Sequence, residues 1–149
     1  MRYERIIMKN KIKIVIIDGQ GGRVGSLLTE KLRKASLPEA EIYAVGTNAA
    51  ATAAMMKAGA DHGATGENPV LVACRDADYI IGPLGILAAD SLLGEITPPM
   101  AVAVGQSQAQ KLLLPVNRCN HHVVGVQDLS LSALAEQTIT DLLSFIQGR

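Results

Sequence analysis

The stretch "IVIIDGQGGRVGSLLTEKL", Ile14 to Leu32, holds the residues best suited to chemistry: an apolar run reaches Asp18 and then glycines at 19, 21, 22 and 25. A helix beginning near Gly22 or Arg23 points its free N–H groups and positive dipole end at any anion lying over these glycines. Gly19 lets the chain turn off a strand, Gly21 and Gly22 clear the approach of an anionic group, and Gly25 permits close helix packing. Arg23 adds a charge-assisted contact to a phosphate. The expected binding set is therefore Gly19, Gln20, Gly21, Gly22, Arg23, Val24 and Gly25. The expected ligand is a nucleotide or dinucleotide, with NAD or NADP as candidates.

The dinucleotide fingerprint also asks for an acid at the end of the second strand, where it binds ribose hydroxyls. Here "EIYAVG" ends in Gly46-Thr47-Asn48, with neither an acid nor a following arginine. Thr47 and Asn48 join the binding set as ribose partners, while the plainer reading makes Asn48 a helix cap. The spacing G-x-G-G-x-x-G also puts the third glycine one residue later than the standard motif.

Other groups carry weaker chemistry. Asp90 and Glu95, after a strand at 78–82, are the acids to examine for proton transfer, against the plainer reading of exposed helix-end charges. The loop "DHGATGEN", Asp61 to Asn68, either lines a ligand or caps the next helix. Asn117 and Arg118 are candidates for polar ligand contacts just past a strand end. Cys119, His121 and His122 match no closed zinc spacing, and adjacent histidines in a strand point to opposite faces, so no metal site is expected.

The elements that must position these groups alternate along the chain. Strands are expected at 12–18, 41–46 and 78–82, with a minimal one within "DHGATG" and another at "QKLLLPV". Helices are expected at 23–35, over "NAAATAAMMKAGA", over "ENPVLVACRDA", from Thr97-Pro98-Pro99 to about Gln108, and over "DLSLSALAEQTITDLLSFIQG". The second of these is apolar nearly all round, which calls for burial in the core or against a second copy. Because only "NRCN" separates "QKLLLPV" from "HHVVGV", those two are expected to pair as an antiparallel edge hairpin. The fold class is α/β: a three-layer, Rossmann-like, doubly wound, mostly parallel sheet with an antiparallel C-terminal edge hairpin. A flavodoxin-like strand order is the alternative.

Composition sets the outer limits. The 149 residues suit a single domain, residues 1–149, with no separate substrate domain. Lys plus Arg and Asp plus Glu both total 14, so no charge excess calls for nucleic acid. One Phe and no Trp leave little for base stacking. No apolar run approaches the roughly 20 residues of a membrane span. Charges interrupt the amino terminus where a signal peptide needs an unbroken apolar segment, and Cys74 and Cys119 make no disulfide framework. A cytoplasmic protein is expected.

The segment "GQGGRVG" resembles the cofactor loop of dihydrodipicolinate reductases, which implies a nicotinamide dinucleotide over Gly19 to Gly25. Their catalysis is not carried over, since His121-His122 is followed by "VVGVQ" rather than by a basic residue. Over nearly its full length, through "IDGQGGRVG", "GTNAAATAAMMKAGADHGATGEN", "IIGPLGILAADSLLGEITP" and "LLLPVN", the chain resembles a family of short, bacterial, single-domain Rossmann-like proteins of unknown function. That resemblance implies the fold and no reaction. Three function classes remain open: a nucleotide-binding homo-oligomer, an NAD(P)-dependent oxidoreductase completed by a second subunit, and a non-catalytic sensor or assembly subunit.

Overall fold

The computed structural model describes residues 11–116 and 120–148. In chain order the elements are β1 (Ile12–Asp18), α1 (Arg23–Ala35), β2 (Ala40–Gly46), α2 (Ala49–Lys57) and β3 (His62–Thr65). There follow α3 (Glu67–Cys74), β4 (Tyr79–Pro83), a 3-10 turn (Leu84–Leu87), α4 (Pro98–Gln106), β5 (Gln110–Leu114) and α5 (Leu131–Gln147). The five strands lie in the order β3-β2-β1-β4-β5, every neighbouring pair parallel. This is the Rossmann order and not the flavodoxin-like one; the chain reverses its direction of travel across the sheet between β1 and β4.

Strand β1 explains the layering. Ile14 and Ile16 point to one face and Val15 and Ile17 to the other, and all four are buried, because consecutive strand side chains alternate. The first face packs on Val24, Leu28 and Leu32 of α1, Met55 of α2 and Ala135, Ile139 and Leu142 of α5. The second packs on Val70 and Cys74 of α3 and Met100 and Val104 of α4. Helix α2 is only half-buried: Ala51 and Met55 face the core, while Met56 is 39% exposed.

Among the described residues the antiparallel edge hairpin is not present. Strand β5 pairs parallel with β4 from Gln110 to Leu114, and residues 120–130 run as turns and irregular chain into α5. An alternating apolar run forms a strand where a layer covers one of its faces. "HHVVGV" has no such cover: Val124 is 86% exposed, and Gly125 takes a φ of 84°, which breaks the extended path. Residues 117–119, and with them Asn117, Arg118 and Cys119, lie outside the described residues.

Register carries the fold to the site. Asp18 pairs with Gly46, so β1 and β2 end level, and the Thr47 N–H donates to the Asp18 carbonyl at 3.0 Å. The glycine loop and the Thr47–Asn48 turn thus emerge side by side at the carboxyl edge, where open α/β sheets bind ligands. The apolar stripe of α5 closes the first face, so Leu142→Ala should lower stability by about 2–5 kcal/mol. Phe145→Ala, on the same helix but half-exposed, should change it by less than about 0.5 kcal/mol in the same urea titration.

Candidate functional site

Strand β1 delivers one carboxylate into the turn it makes. Asp18 is 4% exposed; its Oδ1 accepts the Gly19 N–H at 2.8 Å and its Oδ2 the Gly25 N–H at 2.7 Å, and the Val24 N–H also bonds to it. The first turn of α1, which has no side-chain cap of its own, is therefore capped from four residues upstream. Burial pushes the Asp18 carboxyl above its ordinary range, the three backbone N–H groups pull it back, and the charge of Glu95 adds to the rise. Asp18 had no role in the sequence reading beyond ending the apolar run. Its one signal was an acid set between a buried strand and a glycine.

The glycines prove to have different tasks. A Cβ on Gly19 would fall against Glu95 Oε2 and Thr47 Oγ1, so this position requires glycine for a close approach. Gly22 takes a φ of 72°, and a Cβ there would lie 2.8 Å from the Cα of Ala51 in α2. The absence of a side chain there allows α1 and α2 to approach closely. Gly25 lets α1 lie against Met55 and Asp18, whereas Gly21 faces open space. Among the other expected binding residues, Gln20 is exposed with a φ of 50°, Arg23 is exposed, and Val24 is buried in the core.

A second carboxylate arrives from far along the chain. Glu95 Oε2 accepts the Gln20 backbone N–H at 2.6 Å and the Thr47 hydroxyl at 2.8 Å, and its Oε1 accepts the Asn48 amide at 3.0 Å. Asn48 is both cap and site residue: its Oδ1 accepts the Ala51 N–H at 2.9 Å while its amide nitrogen reaches Glu95. Burial raises the Glu95 carboxyl, but the Gln20, Thr47 and Asn48 hydrogen bonds outweigh it and hold the group below its ordinary range. An acid 47 positions beyond Asn48 thus stands at the end of β2, where the local sequence has none.

The segment that carries Glu95 is strained and anchored at once. Asp90, Leu92 and Leu93 have φ of 66°, 55° and 56°, and Gly94 has 89°. Non-glycine residues in this region cost on the order of 1–2 kcal/mol each. Leu92 and Ile96 are buried against the second face, the Ser91 hydroxyl donates to the Gly85 carbonyl, and the Asp90 N–H reaches the Ile96 carbonyl at 2.7 Å. Leu93 at the tip is 98% exposed. Asp90 is itself exposed and holds the segment through its backbone.

The remaining candidates are dispersed. Thr65 shares a 2.7 Å hydrogen bond with Thr52 of α2, and Gly66 N–H donates to the Gly46 carbonyl, so the "DHGATGEN" loop braces the end of β2. His62 stacks on Tyr43 near the opposite edge, and Cys74 is buried, its thiol pushed up to about 11 by burial. His121 and His122 are exposed. Among the described residues no helix is long and apolar enough to cross a membrane.

Residues 13–147 match the family described as a domain of unknown function (DUF3842). The chain belongs to this family. The DUF3842 match spans both carboxylates, the glycine loop and all five strands, and it lends no support to the likeness of that loop to dihydrodipicolinate reductases. No curated protein matches the chain. A crystal structure of a dodecameric FMN-dependent UbiX-like decarboxylase from Escherichia coli O157:H7 is similar at a TM-score of 0.46 and 16% identity, over 88% of this chain and 76% of that one.

Two outcomes follow for the DUF3842 loop itself. Asp18→Asn turns an amide donor toward backbone donors, and should lower stability by about 2–3 kcal/mol in chemical denaturation. Leu93→Asn, which suits a left-handed backbone and removes an exposed apolar side chain, should raise stability by about 0.5–1 kcal/mol in the same assay.

Proposed function

We propose that this single Rossmann-like domain binds the phosphate of a nucleotide or dinucleotide, of the NAD or NADP class, across Gly19 to Gly25. The observation that supports this reading is the convergence of the Gln20 N–H, the Thr47 hydroxyl and the Asn48 amide on one carboxylate. A donor set drawn from two strand ends and aimed at an oxyanion suits phosphate oxygens, which accept such bonds strongly. The site lies beside the reversal of strand order between β1 and β4, where ligands of open α/β sheets sit. We further propose a homo-oligomer, supported by the exposed Leu87, Leu93 and Val102 on the 3-10 turn, the strained segment and α4.

The test is a thermal-shift and calorimetry panel of NAD, NADP, their reduced forms, ATP, AMP, FMN and inorganic phosphate. Gly22→Asp is unsuited as a control, because its side chain would collide with the α2 backbone. Gly21→Asp is suited: it puts a negative charge into open space at the loop. Binding of a nucleotide with a dissociation constant on the order of micromolar is expected. Gly21→Asp should abolish it at an unchanged unfolding temperature, and Thr47→Val should weaken it about tenfold. Equal binding to Gly21→Asp, or no binding by any member of the panel, would remove this reading.

A further inference from the structure

Glu95 stands where the proposed ligand has to go. Its Oε2 takes the backbone N–H of Gln20 inside the glycine loop and the Thr47 hydroxyl, and its Oε1 takes the Asn48 amide. These are the donors that the nucleotide reading assigns to a phosphate. A carboxylate and a phosphate cannot hold the same donors together: both are anionic acceptors, and in contact they repel. In the first turn of α1 the Val24 and Gly25 N–H groups are already committed to the buried Asp18.

The backbone around Glu95 does not depend on these contacts. Leu92 and Ile96 are anchored in the core on either side, and Ser91 is tied to the Gly85 carbonyl. The buried Leu92 side chain lies close to Gly19, and the partly exposed Glu95 side chain makes the segment's polar contacts with the glycine loop. It can turn toward solvent by rotation about its own bonds while the segment stays seated.

We propose that Glu95 is a tethered competitor for the glycine loop: its carboxylate occupies the oxyanion position, and a phosphate-bearing ligand binds by displacing it from Gln20, Thr47 and Asn48. This rests on the nucleotide reading above and adds a gate to it. The tether makes the competitor intramolecular, so the apparent affinity of the ligand is reduced by the fraction of molecules in which Glu95 is turned in. Ligands that bring more than one negative charge to the three donors displace it best.

The experiment compares the natural chain with Glu95→Ala and Glu95→Gln by calorimetric titration of NAD and of inorganic phosphate, alongside amide NMR spectra of Gln20. Glu95→Ala should bind both ligands about tenfold tighter than the natural chain, with Glu95→Gln between them. The Gln20 amide signal of the natural chain should move on phosphate addition toward its position in phosphate-saturated Glu95→Ala. Glu95→Gln keeps the shape and packing of the side chain, so it reports on charge even if the alanine variant is poorly folded. If the natural chain binds and both variants bind equally or more weakly, Glu95 is a ligand contact or a bystander; the gate is overturned and the nucleotide reading stands. If no protein in the series binds either ligand, both readings fall.

Discussion

The buried carboxylate of Asp18 is the constraint on which the site depends. It ends β1, and by accepting the N–H groups of Gly19, Val24 and Gly25 it ties the strand end to the first turn of α1. A helix N-terminus in a low-dielectric place needs a negative partner, and an unmet cluster of N–H groups is costly. Because that partner is internal, the turn keeps its shape without a ligand. The Gln20 N–H beside Gly19 faces outward, and Glu95 takes it.

The two carboxylates are pushed in opposite directions by their surroundings. Asp18 is raised, chiefly by burial, and Glu95 is lowered because three hydrogen bonds outweigh its burial. The same edge thus holds a buried carboxylate bonded to backbone N–H groups and a more open one bonded to one backbone and two side-chain donors. The topology brings them together: parallel β1, β2 and β4 end at one edge, and the loop after β4 crosses the reversal point to reach the turns after β1 and β2. Strain collected over Asp90 to Gly94 accompanies that crossing, a pattern common where a backbone is held for function rather than for stability.

Much of this was legible in the residue order. The strand at 12–18 and the helix at 23–35 have the bounds that apolar runs and glycines assign them, and the cap at Thr97 before two prolines starts α4. On the last helix Leu131, Leu134, Ala135, Ile139, Leu142, Leu143 and Ile146 lie in or against the first core, as their helical spacing implies. The edge hairpin was misread because the short link "NRCN" says only that two strands there would pair antiparallel, while the packing that makes a strand of "HHVVGV" lies elsewhere in the chain. The packing of Gly22 on α2 was not legible, because glycine spacing does not show that the backbone of Ala51 lies against it.

The sequence by itself determined the local elements, the parallel α/β class and the presence of a glycine loop at a strand end. Each of these follows from side-chain periodicity and backbone permissiveness over a few neighbouring residues. Only the tertiary structure decided the Rossmann order of the strands, the capping of α1 by Asp18 and the arrival of Glu95 at Gln20, Thr47 and Asn48. Those depend on contacts between residues distant in sequence, whose geometry is set by sheet register and by burial on both faces. No local pattern encodes that an acid 47 residues away will stand where the end of β2 lacks one.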